Sequence, residues 1–306
     1  MTKDPVATTP VTLLRVGCKI NLTLRIVGVR QNGWHELDTL FVPLDAPHDE
    51  LVLAPAACAG LTVRCSVPEI DAHKNTLTSA YAAFADATGF RPALMATLSK
   101  GIPHGAGLGG GSADAAALLL WLNAHCPRAL ALADLVTVAG AVGADVAFFL
   151  YNRPCRGTGT GAILEPSDCL DRLGLRGMEL VLLCPSIHVS TPGAYAAWDR
   201  WQKKTAQDLT GTSAPCIYRP SRCFLKEERG AALSAEPIWL ENSFEVPVFE
   251  EHPRLRHLKE QLLQAGACAA GMSGSGSALF GLFRAGDTTA FVKTLGKDVA
   301  VYRHAL

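Results

Sequence analysis

Apolar and polar positions alternate from Leu13 to Val27, where Ile20, Leu22, Leu24 and Ile26 take one side of a strand and Lys19, Asn21, Thr23 and Arg25 the other. Gln31-Asn32-Gly33 signals a turn into a second strand running through Leu37 to Leu44. Leu61, Val63, Cys65 and Val67 alternate again, so the chain opens with several adjacent strands. The period then changes. Asn75 to Thr88 carries Leu77, Tyr81, Phe84, Ala85 and Thr88 at helical spacing and ends at Gly89. Leu94, Ala96 and Leu98 form a strand leading to Lys100. Beyond a run of glycines, Ser112 to Asn123 has helix composition with Ser112 placed to cap it. Leu130 to Val142 is a further apolar helix, stopped by Gly143.

In the later half, Glu179 to Cys184 reads as a short apolar strand, and Ser190-Thr191-Pro192 as a helix start with Thr191 as cap and Pro192 in the first position. Lys203 to Glu236 turns polar, with Pro215, Pro220 and the run Lys226-Glu227-Glu228-Arg229, and reads as a surface excursion. Pro253 opens a helix through Leu263 that Gly266 closes. Ala278 to Phe283 is a strand, Asp287 caps a last helix ending at Gly296, and Val299 to Arg303 is the final strand. Residues 1–11 read as a loose tail.

At 306 residues, two domains are expected, the second beginning near Gly177, which divides the chain into 1–176 and 177–306. Hydrophobic residues at 49% and charged residues at 18% fit a compact globular protein. Lys plus Arg equals Asp plus Glu at 28 each, so no global field draws nucleic acid or an anionic membrane, and a small molecule is the expected partner. The ten cysteines show no C-x-x-C and no zinc spacing. With no signal peptide after Met1 and no apolar run near 18 residues, a cytoplasmic setting with reduced, core-filling cysteines is expected.

The chemistry concentrates in Pro103-His104-Gly105-Ala106-Gly107-Leu108-Gly109-Gly110-Gly111-Ser112-Ala113. Five glycines in seven residues remove the β-carbons from one loop, and the following helix points its N-terminus at it. Free amides and the positive end of the helix dipole then favour a phosphate. The Lys of a Walker A loop is absent. Gly105, Gly107 and Gly110 match G-x-G-x-x-G, but the acidic residue at dinucleotide spacing, Asp134, falls inside a helix pattern.

Three other features have two readings each. Lys19 and Asn21 share a strand face, which lines a cleft or is merely solvated. Trp34 and His35, beside a turn, stack on a planar ligand or cap a core. Asp145 interrupts the apolar Gly143–Leu150 run and is either a hydrogen-bonded structural acid or a functional one. A second small-residue loop, Gly271 to Ser277, adds another wall suited to phosphate.

Together these segments resemble the GHMP kinase superfamily and, within it, the kinases acting on 4-diphosphocytidyl-2-C-methyl-D-erythritol. The resemblance rests on Cys18-Lys19-Ile20-Asn21-Leu22, Gly33-Trp34-His35-Glu36-Leu37-Asp38-Thr39-Leu40-Phe41, the run from Pro103 to Ser112, Gly143-Ala144-Asp145-Val146, Val189-Ser190-Thr191 and Met272-Ser273-Gly274-Ser275-Gly276-Ser277. The glycine motif identifies the superfamily, and the Gly-Trp-His and Gly-Ala-Asp-Val segments narrow it.

The resemblance implies an α+β, two-domain GHMP kinase fold, with a ribosomal-protein-like N-terminal domain, a ferredoxin-like C-terminal domain and both substrates in the cleft between them. It implies transfer of the γ-phosphoryl of ATP to the 2-hydroxyl of the cytidyl substrate, in the non-mevalonate route to isoprenoid precursors, with Mg2+ travelling with ATP and no dedicated protein metal cage. By resemblance Asp145 takes the hydroxyl proton and Lys19 supports it. Asn75 and Lys100 lie toward the adenine end of ATP, and Pro103 to Ala113 hold its phosphates. Asn21, Trp34 and His35 meet the acceptor, with His35 on the cytosine edge, while Thr191, Gly274, Ser275 and Gly276 approach its diphosphate. The chain departs from the pattern at Ala113 (usually serine), Trp34 (tyrosine), Ser243 (often aspartate) and in the length of 203–236. Kinases of mevalonate or homoserine type share the glycine loop without needing the Gly-Trp-His segment. A nucleotide-binding protein without turnover would have no need of both Lys19 and Asp145.

Overall fold

A computed structural model describes residues 10–68, 70, 75–210, 221–223, 238–284, 289–292 and 294–306. The chain forms two compact units that interleave along the sequence. The first comprises Met1–Cys18, Pro47–Ile102 and Gly109–Asn152, the second Lys19–Ala46, Pro103–Leu108 and Arg153–Leu306. Two long paired strands, β1 (Thr12–Val29) and β2 (His35–Pro55), run from one unit into the other. β2 extends well past the expected end at Leu44. Asp45, Pro47, His48 and Asp49 look like loop composition, yet from Glu50 the strand is hydrogen-bonded along β4, and that pairing overrides local propensity.

In the first unit, β3 (Leu61–Cys65) lies parallel to β4 (Leu94–Ser99), and the second half of β2 lies antiparallel to β4 with Glu50 opposite Ser99. Four helices pack together: α1 (Thr76–Thr88), α2 (Gly110–His125), α3 (Leu132–Val142) and α4 (Val146–Tyr151). α2 is their centre. Ala113, Ala115, Ala116, Leu118, Leu119 and Leu122 are all buried, because the helix meets α1, α3 and α4 on different sides. Truncating Leu118 to alanine would cost about 2–5 kcal/mol. The helix begins two residues before the expected cap. Gly109, at φ 73°, turns the chain straight into it, so Ser112 lies inside the first turn and caps nothing.

In the second unit, the first half of β2 pairs antiparallel with β5 (Cys155–Gly159), which forms a hairpin with β6 (Ile163–Pro166). A short α5 (Cys169–Arg172) leads to a four-stranded antiparallel sheet in the order β10-β11-β7-β12, made of β7 (Glu179–Pro185), β10 (Ala269–Met272), β11 (Leu279–Phe283) and β12 (Val299–Ala305). Against it pack α6 (Thr191–Thr210), α7 (Glu245–Glu251) and α8 (Pro253–Gln264), whose Leu255, Leu258 and Leu262 join Val181, Leu183 and Leu279 in one core. The small strands β8 (Ser221–Cys223) and β9 (Ile238–Leu240) and the short α9 (Thr289–Val292) complete the unit. Two larger sheets with packed helices give the expected α+β class.

α6 starts one residue earlier than expected. Ser190 takes the cap, its Oγ accepting from Gly193 N at 3.4 Å, and Thr191 is the first helical residue. The polar stretch after residue 203 continues as helix to Thr210, and most of the remainder to 236, like Asp287 and residues 1–9, lies outside the described residues.

Candidate active site

The glycine loop enters the second unit between Ile102 and Gly109 and is tied there to two other segments. Leu108 O accepts from Lys19 N at 3.0 Å, Ala106 O from Ala278 N at 3.0 Å, and Gly107 O from Ser273 Oγ at 2.9 Å. Two of its glycines are obligatory. At Gly107, φ is 76° and a β-carbon would lie 2.1 Å from Ser273 O. At Gly105, φ is 67° and a β-carbon would lie 2.4 Å from the His188 ring. His104 stacks on His188 at 5.9 Å, while Ala106 and Leu108 face inward and Pro103 is half-buried. The apolar alternates anchor the loop, and its glycine peptides stay close to the surface.

The first unit supplies the helix that follows. Gly110 and Gly111 open α2, Ser112 is half-buried, and Ala113 is buried. The usual serine is thus replaced where the side chain joins the core. Thr76 Oγ1 donates to Gly111 O at 2.8 Å, which fixes the start of α1 against the start of α2. Asn75 caps α1: its side chain accepts from Thr78 N and its own N–H donates to Thr78 Oγ1, both at 3.1 Å. The Lys100 ammonium is held by the carboxylates of Asp49 and Asp114. Asp145 stands just before α4 and is half-buried, with no capping bond from its side chain.

In the second unit Lys19 and Asn21 are both 3% exposed, which rules out a merely solvated strand face. Lys19 Nζ donates to Asn21 Oδ1 at 2.6 Å and lies 5.4 Å from the Phe41 ring centre. Asn21 Nδ2 donates to Thr39 Oγ1 at 2.8 Å, and that hydroxyl donates to Thr23 O at 2.6 Å. The amide orientation of Asn21 is thereby fixed, with its carbonyl oxygen facing the ammonium.

His35 lies in an aromatic corner made by α6. Its Nε2 is 2.9 Å from Asp199 Oδ1, and its ring is 4.5 Å from Tyr195 and edge-on to Trp198 at 5.3 Å. Trp34 is 63% exposed and caps no core, leaving its face open for stacking. The second small-residue loop is braced from below. Asn242 Nδ2 donates to Met272 O at 2.6 Å and to Gly274 O at 2.8 Å, while Glu245 accepts from Met272 N and pairs with Lys259 at 2.6 Å. Gly274 and Gly276 have φ of 57° and 89°. The Thr191 hydroxyl, not used as a cap, lies 3.0 Å from Ser275 Oγ.

Sequence reasoning missed Asp49, Asp114, Asp199, Glu245 and the bracing role of Ser273. None carries a local signal except Asp114, an acid within an apolar helix start, because their partners are distant in sequence.

The chain matches two families consecutively: the GHMP kinases N terminal domain at residues 75–153 and the GHMP kinases C terminal domain at residues 227–298. It is 45% identical to a 4-diphosphocytidyl-2-C-methyl-D-erythritol kinase of Nitratidesulfovibrio vulgaris (strain DP4), over 96% of this chain and 98% of the relative. It is 44% identical to the kinase of the same name from Lawsonia intracellularis, over 89% and 88%. A crystal structure of 4-(cytidine 5'-diphospho)-2C-methyl-D-erythritol kinase superposes with a TM-score of 0.70 at 30% identity, covering 95% of this chain and 98% of that one. With the glycine loop, the buried Lys19–Asn21 pair and the His35 corner all in place, the chain belongs to the 4-diphosphocytidyl-2-C-methyl-D-erythritol kinase family of GHMP kinases.

Proposed function

We propose that this protein phosphorylates the 2-hydroxyl of 4-diphosphocytidyl-2-C-methyl-D-erythritol with ATP, in the non-mevalonate supply of isoprenoid precursors. The observation that carries the reading is near-full-length identity of 45% to a kinase of that name, in a chain that carries Lys19, Asp145, His35 and both glycine loops. In the reaction the hydroxyl oxygen bonds to the γ-phosphorus as the bond to the β,γ-bridging oxygen breaks. The hydroxyl proton passes to Asp145, and ADP leaves. Charge spreads over the transferred oxygens, so positioning and electrostatic stabilisation dominate.

Asp145 suits the role of base because it stands at the start of α4 and is only half-buried. Lys19 suits the stabilisation of negative charge because its ammonium is fixed and shielded from bulk water. Residues 103–113 and Asn75 would form the ATP side, with Lys100 contributing through the Asp49 and Asp114 carboxylates it binds. Asn21, Trp34, His35, Thr191 and Gly274 to Gly276 would form the acceptor side. His35 and Trp34 suit a pyrimidine, one offering a ring nitrogen and the other a flat apolar face.

Among the described residues no three His, Cys, Asp or Glu side chains gather as a metal set. Mg2+ would arrive with ATP and neutralise phosphate charge. We retain 1–176 and 177–306 as the functional division of the chain. A cytoplasmic setting is the one expected for ten scattered cysteines without paired or zinc spacing. The test is ATP turnover with the cytidyl substrate, mevalonate and homoserine as separate acceptors. Selective phosphorylation of the first supports the reading, and turnover of another acceptor alone overturns it.

A further inference from the structure

Lys100, Asp49 and Asp114 form a cluster of three buried charges in the first unit, with side chains 7%, 0% and 2% exposed. At such depth an ion pair costs about as much in desolvation as it returns, unless its hydrogen bonds are complete. Here those bonds go to the backbone flanking the glycine loop. Asp49 Oδ1 accepts from Gly101 N at 2.7 Å and Ile102 N at 2.8 Å, and its Oδ2 takes the Lys100 ammonium. The same ammonium donates to Asp114 Oδ2 at 2.9 Å, on α2. Gly110 packs so closely against this run that a β-carbon would lie 3.0 Å from Ile102 Cγ2 and 3.2 Å from Lys100 Nζ. The residues entering the loop and the helix leaving it are thus joined through one ammonium. Asp114 Oδ1 is buried without a hydrogen-bond partner, so this carboxylate is poorly rewarded except as the second anchor of Lys100.

We propose that Asp49, Lys100 and Asp114 are positioning residues that clamp the two ends of the glycine loop. They hold the first amides of α2 where ATP phosphate is received, and none of the three side chains touches the nucleotide. The inference rests on the ATP-binding reading above and deepens it.

The test uses the full chain, with a non-hydrolysable ATP analogue titrated calorimetrically and steady-state kinetics measured in parallel. Lys100→Met should weaken analogue binding and raise the KM for ATP by about tenfold or more, while kcat and the acceptor KM stay within about threefold. Asp114→Asn keeps the shape and removes one anchor, so binding should weaken by about threefold or more. The sign of this second result is decisive. If Lys100 touched phosphate instead, neutralising Asp114 would free the ammonium and tighten binding. Tighter or unchanged binding in folded Asp114→Asn overturns the clamp, as does an equal loss in both KM values and kcat. Should Lys100→Met fail to fold, Asp114→Asn alone decides. A wild-type chain that binds the analogue but phosphorylates none of the acceptors overturns the functional reading and leaves the clamp to be judged by binding.

Discussion

Asn21 and Ser273 lie 252 positions apart, and the backbone N–H of Asn21 donates to Ser273 Oγ at 3.1 Å while that hydroxyl donates to Gly107 O at 2.9 Å. One buried side chain therefore joins the Lys19 strand to the glycine loop, acting once as acceptor and once as donor. Ser273→Ala would leave both backbone groups unpaired, at about 1–3 kcal/mol each. A fall in Tm of about 5 °C or more by scanning calorimetry is expected. A Tm within about 1 °C of wild type would show that water replaces the hydroxyl.

Gly107→Ala should be harsher, because the new β-carbon meets Ser273 O at 2.1 Å in a backbone conformation L-residues avoid. ATP affinity should fall more than the affinity for the acceptor, read from the two KM values. The neighbouring Gly111→Ala has an ordinary contact at 3.4 Å with Thr76 Oγ1 and should be far milder.

Asp145→Asn should lower kcat by at least about 100-fold, the loss typical of removing a positioned base, with ATP affinity largely kept. Rapid-quench measurement of product from enzyme-bound ATP separates this from slow product release. A variant turning over near the wild-type rate would remove Asp145 from the chemistry.

His35→Ala should raise the acceptor KM more than the ATP KM. Asp199→Asn should do so to a smaller degree, because the carboxylate 2.9 Å from Nε2 orients the ring. Equal changes in both KM values would argue against pyrimidine recognition by this ring.

Burial pushes the Asp114 carboxyl up from its ordinary 3.8, Lys100 pulls it back, Asp49 adds to the rise, and it settles at about 7. The folded protein holds this proton more tightly than the unfolded chain. Its stabilising contribution is therefore complete below about pH 3.8 and is lost as pH rises through about 7. The Tm of the wild type minus that of Asp114→Asn should thus fall between about pH 5 and pH 8. A difference that is flat or rises across that interval contradicts the assignment.

The strands and helices with strong periodicity were legible from sequence, as were the two loops, because glycine spacing and alternation are local signals. Gly89 and Gly143 end their helices as the pattern indicates. Ser112 and Thr191 were misplaced as caps because a left-handed glycine in one case, and a serine one residue earlier in the other, satisfied the helix start first. The extension of β2 beyond Leu44 and the buried Asp49, Asp114 and Glu245 were not legible. Their environments come from partners such as Gly101, Lys100 and Lys259, which no window of adjacent residues contains.

The interleaving of the two units bears on the order in which the protein emerges during synthesis. The first 152 residues include every segment of the first unit, which can collapse while the ribosome is still at work. Lys19–Ala46 and Pro103–Leu108 emerge in the same period, but the second unit to which they belong is completed only by the stretch from Arg153 onward. The Asn21 N–H and the carbonyls of Ala106 and Gly107 must therefore wait for Ser273 and Ala278. Such late pairing of early segments makes for slow maturation, and a truncated chain would carry the nucleotide-binding glycines without the supports that shape them.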